Sequence, residues 1–187
     1  NVSQGRADYS KPYVFVTDKK LYHIEECREI LETAFKVGAK DIVIVARDFL
    51  GESAGFLISN HMDEKVPLKV LMIKYPTPDN NHIGLYDLAT YLGGHVVTEK
   101  RGSLKGKLTA DDYILADRVY SAGPKTIFVT DNKTNPELSM LISEVRTKKE
   151  EDPTDDSLAR RLASLTAGTV NLEVGAATGP EVRELIF

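Results

Sequence analysis

The chain has 187 residues, 42% of them hydrophobic and 28% charged, and carries a net charge of −4. That length holds one domain that buries roughly 70% of the surface its unfolded form exposes, and the acidic balance argues against a nucleic-acid partner, which needs a basic patch. No apolar run reaches the roughly 18 residues of a membrane span, and the lone Cys27 cannot close an internal disulfide, so a reducing compartment is expected.

Residues 1–10 are polar and unlike a signal peptide, and the first residue is Asn1 rather than methionine. A piece of a longer protein is therefore expected. Short β-branched runs then alternate with helical stretches. A strand is predicted at 13–17 and a helix at 21–37, followed by a strand at 42–46 and a helix at 52–62. Next come a strand at 68–73, a helix at 85–92 and strands at 96–98 and 126–130. Helices at 136–150 and 155–166 and a strand at 169–174 complete the series. Gly38, Gly93 and Gly168 each follow a helical stretch, where a left-handed cap favours glycine. Pro153 ends one helix, and Asp155 and Asp156 stand where the next needs its N-cap. The charged run at 148–156 reads as a solvated helix end and turn. The alternation predicts an α/β domain with helices packed on sheet.

The helix at 21–37 is the most informative element. At 100° per residue, Ile24, Cys27, Ile30, Leu31, Ala34, Phe35 and Val37 cover an arc of roughly 160°, wider than a surface helix needs. Leu31 and Phe35 lie at one edge of it, beside Glu25, Arg28 and Glu32. Two readings stand: both are core, or both belong to an exposed apolar strip rimmed by charge, the mark of a protein-binding surface. The helix at 52–62 has a similar ambiguity. Phe56, Leu57 and Ile58 are consecutive and cannot all face one core, so Phe56 or Ile58 should approach the surface. Ala54 and Ile58 share a face.

Signals for catalysis are weak. Gly102-Ser-Leu-Lys-Gly106-Lys107-Leu108 resembles a phosphate loop but is one residue short and lacks the hydroxyl that holds magnesium. His23, His61, His82 and His95 show no metal-site spacing. His23 and Cys27 share a helix face, yet two ligands make no site; an exposed His over a buried Cys is expected. Asp111-Asp112 reads as a helix N-terminus, and no serine has a nucleophile-elbow context.

Four segments carry a family resemblance. Val14-Phe-Val-Thr-Asp-Lys-Lys-Leu21, with the helix after it, resembles the start of the apical domain of group I (GroEL-type, bacterial) chaperonins. Leu88-Ala-Thr-Tyr-Leu-Gly-Gly-His-Val-Val-Thr-Glu99 is similar to the family's "ATLTGG-V-SEE" stretch. Asp156-Ser-Leu-Ala-Arg-Arg-Leu-Ala-Ser-Leu165 resembles the helix ending in "ER-AKLAGG", and Thr169-Val-Asn-Leu-Glu-Val-Gly-Ala-Ala-Thr178 the strand and "VGAAT" turn returning to the intermediate domain. Their order and spacing extend the resemblance over essentially the whole chain.

The resemblance implies a swivelling β/β/α fold, a β-sandwich flanked by helices. It implies an apical domain over 1–168, a return toward the intermediate domain over 169–187, and an equatorial ATPase domain outside this chain. Two helices would form a groove for non-native polypeptides and for the mobile loop of a GroES-type co-chaperonin. Its positions fall on Arg28, Leu31, Glu32 and Phe35, and on Ala54, Phe56, Ile58, Ser59 and Asn60. The chain itself would need no cofactor and have no catalytic or metal residue. ATP and magnesium would belong to the parent's equatorial domain, in a double ring of seven-membered rings in a bacterial cytoplasm, with an organelle of bacterial descent as the alternative. The isolated chain would be a monomer.

The sequence also departs from the family. Arg28 and Ala54 stand where leucine is usual, and Ser59 where valine is usual. A fully buried Leu or Val contributes roughly 1.5–3 kcal/mol, so a weaker or more selective groove is expected. The family's Gly-Phe-Gly-Asp-Arg-Arg loop is replaced by Tyr75-Pro-Thr-Pro-Asp-Asn-Asn-His82. The competing reading is a free-standing α/β ligand-binding or regulatory domain with a small-molecule site at a sheet switch point.

Overall fold

A computed structural model describes residues 6–75, 83–131, 135–167 and 169–173. Sheet order β6-β4-β2-β7 forms the centre, from β2 (Tyr13–Val16), β4 (Asp41–Ala46), β6 (Lys69–Lys74) and β7 (Ile114–Leu115). β2, β4 and β6 are parallel, and β7 is antiparallel to β2. A second, antiparallel sheet has the order β1-β8-β9-β10, from β1 (Arg6–Ser10), β8 (Arg118–Ala122), β9 (Lys125–Val129) and β10 (Thr169–Glu173). A small parallel pair joins β3 (Lys20–Leu21) to β5 (Asp48–Phe49). The helices are α1 (Ile24–Lys36), α2 (Glu52–Met62), α3 (Ile83–Leu92), α4 (Pro136–Glu151) and α5 (Asp156–Thr166).

The period of two along the central strands divides the core. Val14, Val16, Val43 and Val45 face a cluster with Leu85, Leu88 and Leu92 of α3 and Val119, Phe128 and Val170 of the second sheet. Phe15, Ile42, Ile44 and Ala46 face the other way, into a cluster with Cys27, Ile30, Leu31 and Ala34 of α1 and Leu57 of α2. Both faces of the central sheet are thus covered, which explains the continuous apolar run of β4. The result is a β-sandwich flanked by helices, the expected α/β architecture.

All five predicted helices form, with local causes. Gly38 and Gly93 take φ of 84° and 83°, and their amides donate back to Phe35 and Thr90 carbonyls. Asp155 caps α5 by accepting from the Ser157 and Leu158 amides, and Asn135 caps α4. Gly168 lies outside the described residues. α1 starts at Ile24, not at residue 21, because Leu21 belongs to β3 and its carbonyl accepts from the Leu50 amide.

Some expectations change. The strand predicted at 96–98 is a single bridge between Thr17 and Val97, since the chain turns at once into a 3-10 turn at Glu99–Arg101. Asp111 and Asp112 do stand in the first turn of a helix, but that helix is a single 3-10 turn. Asp112 sits in the 3-10 turn Ala110–Asp112, where Thr109 and Asp112 form a capping box. β1, β3, β5, β7 and β8 were not predicted: they are short, and β1 and β8 mix polar residues with one buried side chain each.

Candidate functional site

Both helices flanking the outer face of the central sheet leave the β3–β5 pair. α1 starts three residues after β3 and α2 three residues after β5. The strands are parallel, so the helices set off side by side in the same direction. Ser53 Oγ in the first turn of α2 donates to the Leu21 carbonyl at 2.7 Å. At the far end, the Val70 amide donates to His61 Nδ1 at 3.2 Å and ties α2 to β6.

The first turn of α1 is fixed by a buried ion pair. Lys19 Nζ lies 2.6 Å from Glu26 Oε1 and also donates to the Gly102 carbonyl at 2.6 Å. Glu26 suits the positive end of the helix. The loop at 102–108 is thereby tied down: Leu104 is fully buried and Lys107 Nζ donates to the Arg101 carbonyl. Burial, reinforced by Glu26, pushes the Cys27 thiol up to about 12, which leaves it protonated and unreactive at neutral pH. Cys27 is buried while His23 is exposed, and no group of three metal-binding side chains occurs among the described residues.

Between the C-terminal halves of α1 and α2 lies an open cleft of about 310 Å³, lined by Leu31, Glu32, Phe35 and Lys36 of α1, Asn60 of α2, and Val66 and Leu68 before β6. Phe35 is 60% exposed, whereas Leu31 is only 7% exposed. Leu31 is therefore core rather than part of an exposed strip. α1 packs in the outer core together with the central strands and α2, so its buried arc is wider than a sheet alone would require. Of the nine positions, the cleft gathers Leu31, Glu32, Phe35 and Asn60. Arg28 and Ser59 are exposed away from its lining, and Ala54, Phe56 and Ile58 are half-buried, packed on the outer core. Leu57 is the fully buried anchor of α2, so Phe56 and Ile58 flank it on opposite sides. Asn60 Nδ2 donates to the Phe56 carbonyl at 2.8 Å, which aligns its side chain along the helix. Lys36, Val66 and Leu68 escaped the sequence reading. Lys36 is polar, and Val66-Pro67-Leu68 carries no periodicity to show which way it faces.

A larger cavity of about 760 Å³ lies beneath the α4–α5 hairpin. Tyr91, Val129, Leu138, Ile142 and Leu165 supply its apolar lining, with Asp117, Asp131 and Arg146 among its polar residues. The Tyr91 hydroxyl is buried without a well-formed hydrogen bond among the described residues.

No protein-family model matches the chain. Two crystal forms of the chaperonin gp146 from the bacteriophage EL 2 (Pseudomonas aeruginosa), both in the presence of ATP-BeFx, superpose with TM-scores of 0.67 and 0.61. Each covers 98% of this chain, at 16% and 15% sequence identity. The fold is chaperonin-like. This chain spans 37% and 36% of those chaperonin chains, a little over a third of their length. Within the chaperonin-like fold, the α1–α2 cleft lies on the outer face of the central sheet, and the larger cavity lies on the side of the second sheet.

Proposed function

We propose that the chain is the polypeptide-binding, apical-type domain of a group I ring chaperonin, and that the α1–α2 cleft takes up non-native polypeptide. The observation that carries this reading is Phe35, 60% exposed beside an apolar cleft between two side-by-side helices, in a chaperonin-like fold. Unfolded chains expose apolar side chains, and burying them is favourable with little demand for sequence because the hydrophobic effect is non-directional. Arg28, Ala54 and Ser59 make the flanks of the cleft more polar than leucine and valine would, so one copy binds weakly. In a double ring of seven-membered rings several clefts engage one chain, and avidity multiplies the affinity.

The same cleft would receive the mobile loop of a GroES-type co-chaperonin. ATP and magnesium would act in an equatorial domain of the parent, swinging this domain as a rigid body to hide the cleft. On this reading the chain works by binding, without catalysis or a cofactor of its own, as a monomer when isolated, with neither nucleic acid nor membrane as partner. A buried, unreactive Cys27 suits a bacterial cytoplasm.

The test is binding of an amphipathic peptide to the full chain. Phe35→Ser is expected to weaken binding about 5–10-fold without changing the melting temperature, because Phe35 is mostly exposed. Unchanged peptide affinity in that variant would exclude the cleft.

A second reading has one observation in its favour. The 760 Å³ cavity has the size of a small-molecule site and suits a free-standing ligand-binding or regulatory domain. A thermal shift with nucleotides or metabolites, reduced by Ile142→Trp, would favour it.

A further inference from the structure

The two helices that form the cleft and the turn after them carry more carboxylates than cations on their outward surface. The outward face of α1 carries Glu25, Arg28, Glu29, Glu32, Phe35 and Lys36, all exposed or half-buried. α2 adds exposed Glu52 and no cation, since its His61 is buried and accepts the Val70 amide. The turn leaving α2 adds exposed Asp63, Glu64 and Lys65. Six carboxylates thus stand against three cations. The two helices and this turn hold a net −3 on their outward surface, out of −4 for the whole chain.

None of these carboxylates is held in an ion pair among the described residues. Among the described residues no ion pair involves Glu25, Arg28, Glu29, Glu32 or Lys36, although Arg28–Glu32 and Glu32–Lys36 have helical i, i+4 spacing. Glu32 and Lys36 both line the cleft itself, on either side of Phe35 in the sequence, and Glu32 is the one carboxylate there. A peptide seated there would shield Glu32 from water and strengthen its attraction for a cation on that peptide. A carboxylate on the peptide would meet like charge at Glu32, offset only where it reaches Lys36 in the lining or the exposed Lys69 next to Leu68.

Resting on the reading of the cleft as a polypeptide site, we propose that it selects apolar segments flanked by lysine or arginine over those flanked by aspartate or glutamate, with Glu32 as the selecting residue. The ligand class is then an apolar stretch in a basic context, in place of any apolar stretch.

The chain has no tryptophan, so a tryptophan in the ligand reports binding directly. Three synthetic peptides share one Leu-Trp-Leu-Leu core and carry Lys, Ser or Glu on both flanks. In 50 mM salt the Lys-flanked peptide should bind the full chain about 3–10-fold tighter than the Glu-flanked one, with the Ser-flanked peptide between. The ratio should shrink below about 2 in 0.5 M salt, where screening acts over about 4 Å. Glu32→Lys should abolish or invert the order with an unchanged circular dichroism spectrum, and Glu137→Lys on α4 should leave it intact. Equal affinities for the three peptides would overturn the selection and leave the cleft standing. Binding of none of them would overturn both. A Glu137→Lys effect as large as that of Glu32→Lys would also overturn it, since net charge alone would then be selecting.

Discussion

Leu31 and Phe35 are one helical turn apart on the same face of α1, yet they have opposite environments. Leu31→Ala should cost about 2–4 kcal/mol, because its side chain is buried in the outer core. Phe35→Ala should cost under about 0.5 kcal/mol, because the ring is mostly in water. Urea denaturation of the two variants checks the contrast; equal losses would mean that Phe35 is packed. His61 gives a second residue-level expectation. Burial, then the nearby Lys69 charge, hold its imidazole below the ordinary value of 6.5. Below pH 6.5 the unfolded chain takes up a proton that the folded chain resists, so stability falls with pH and levels off once the folded pKa is passed. Protonation would also remove the Nδ1 acceptor that holds the Val70 amide. The melting temperature of the native chain should therefore drop more steeply between pH 7 and pH 5 than that of His61→Gln.

At the level of elements, two glycines with the same backbone freedom should respond oppositely to alanine. A Cβ on Gly94 would run into Ile114 Cγ1 and Cδ1. Ile114 is a buried β7 residue, so α3 can turn toward β7 only over a glycine. Gly94→Ala is expected to destabilise by about 1–3 kcal/mol. Gly55, in the middle of α2, has nothing within 4 Å of its would-be Cβ. Gly55→Ala should stabilise by about 0.5–1 kcal/mol through helix propensity alone. Chemical denaturation of both variants decides, and a loss in Gly55→Ala would mean that α2 is more crowded than described. The helices themselves were legible in the sequence, since a cap needs only a few consecutive residues. β3 and β5 were not, because two-residue strands exist only through their pairing.

Across the whole molecule, cohesion is uneven. β2 and β4 are almost entirely buried, while α4 buries only Val145 and α5 only Leu165. The hairpin of α4 and α5 is held to α3 by Arg161, whose guanidinium grips Asp87 through two bonds of 2.6 and 2.8 Å, and by Asn135, which donates to the Thr90 carbonyl. Hydrogen exchange should accordingly be slowest in β2 and β4 and faster in α4 and α5. Arg161→Ala should speed exchange in the hairpin about 10-fold while the central strands keep their protection. Uniform acceleration would mean that the hairpin and the sandwich unfold together.

The sequence by itself determined what depends on near neighbours. Apolar runs at β2, β4 and β6 marked the central sheet, caps such as Asp155 marked helix ends, and the apolar arc of α1 marked its buried face. The groove positions came from a family resemblance, and the residues alone left Leu31 and Phe35 undecided between core and surface. Tertiary structure decided that choice, because Leu31 is buried in an outer core assembled from the central strands, α2 and Leu68, beyond any local pattern. It also decided the pairing of β1 with β8, where Asp8 meets Arg118 across 110 residues. A half-buried polar strand has no signature until its partner arrives. The position of uncompensated charge, Glu32 at the cleft edge and Glu26 turned inward to Lys19, likewise emerged only when the helix was docked.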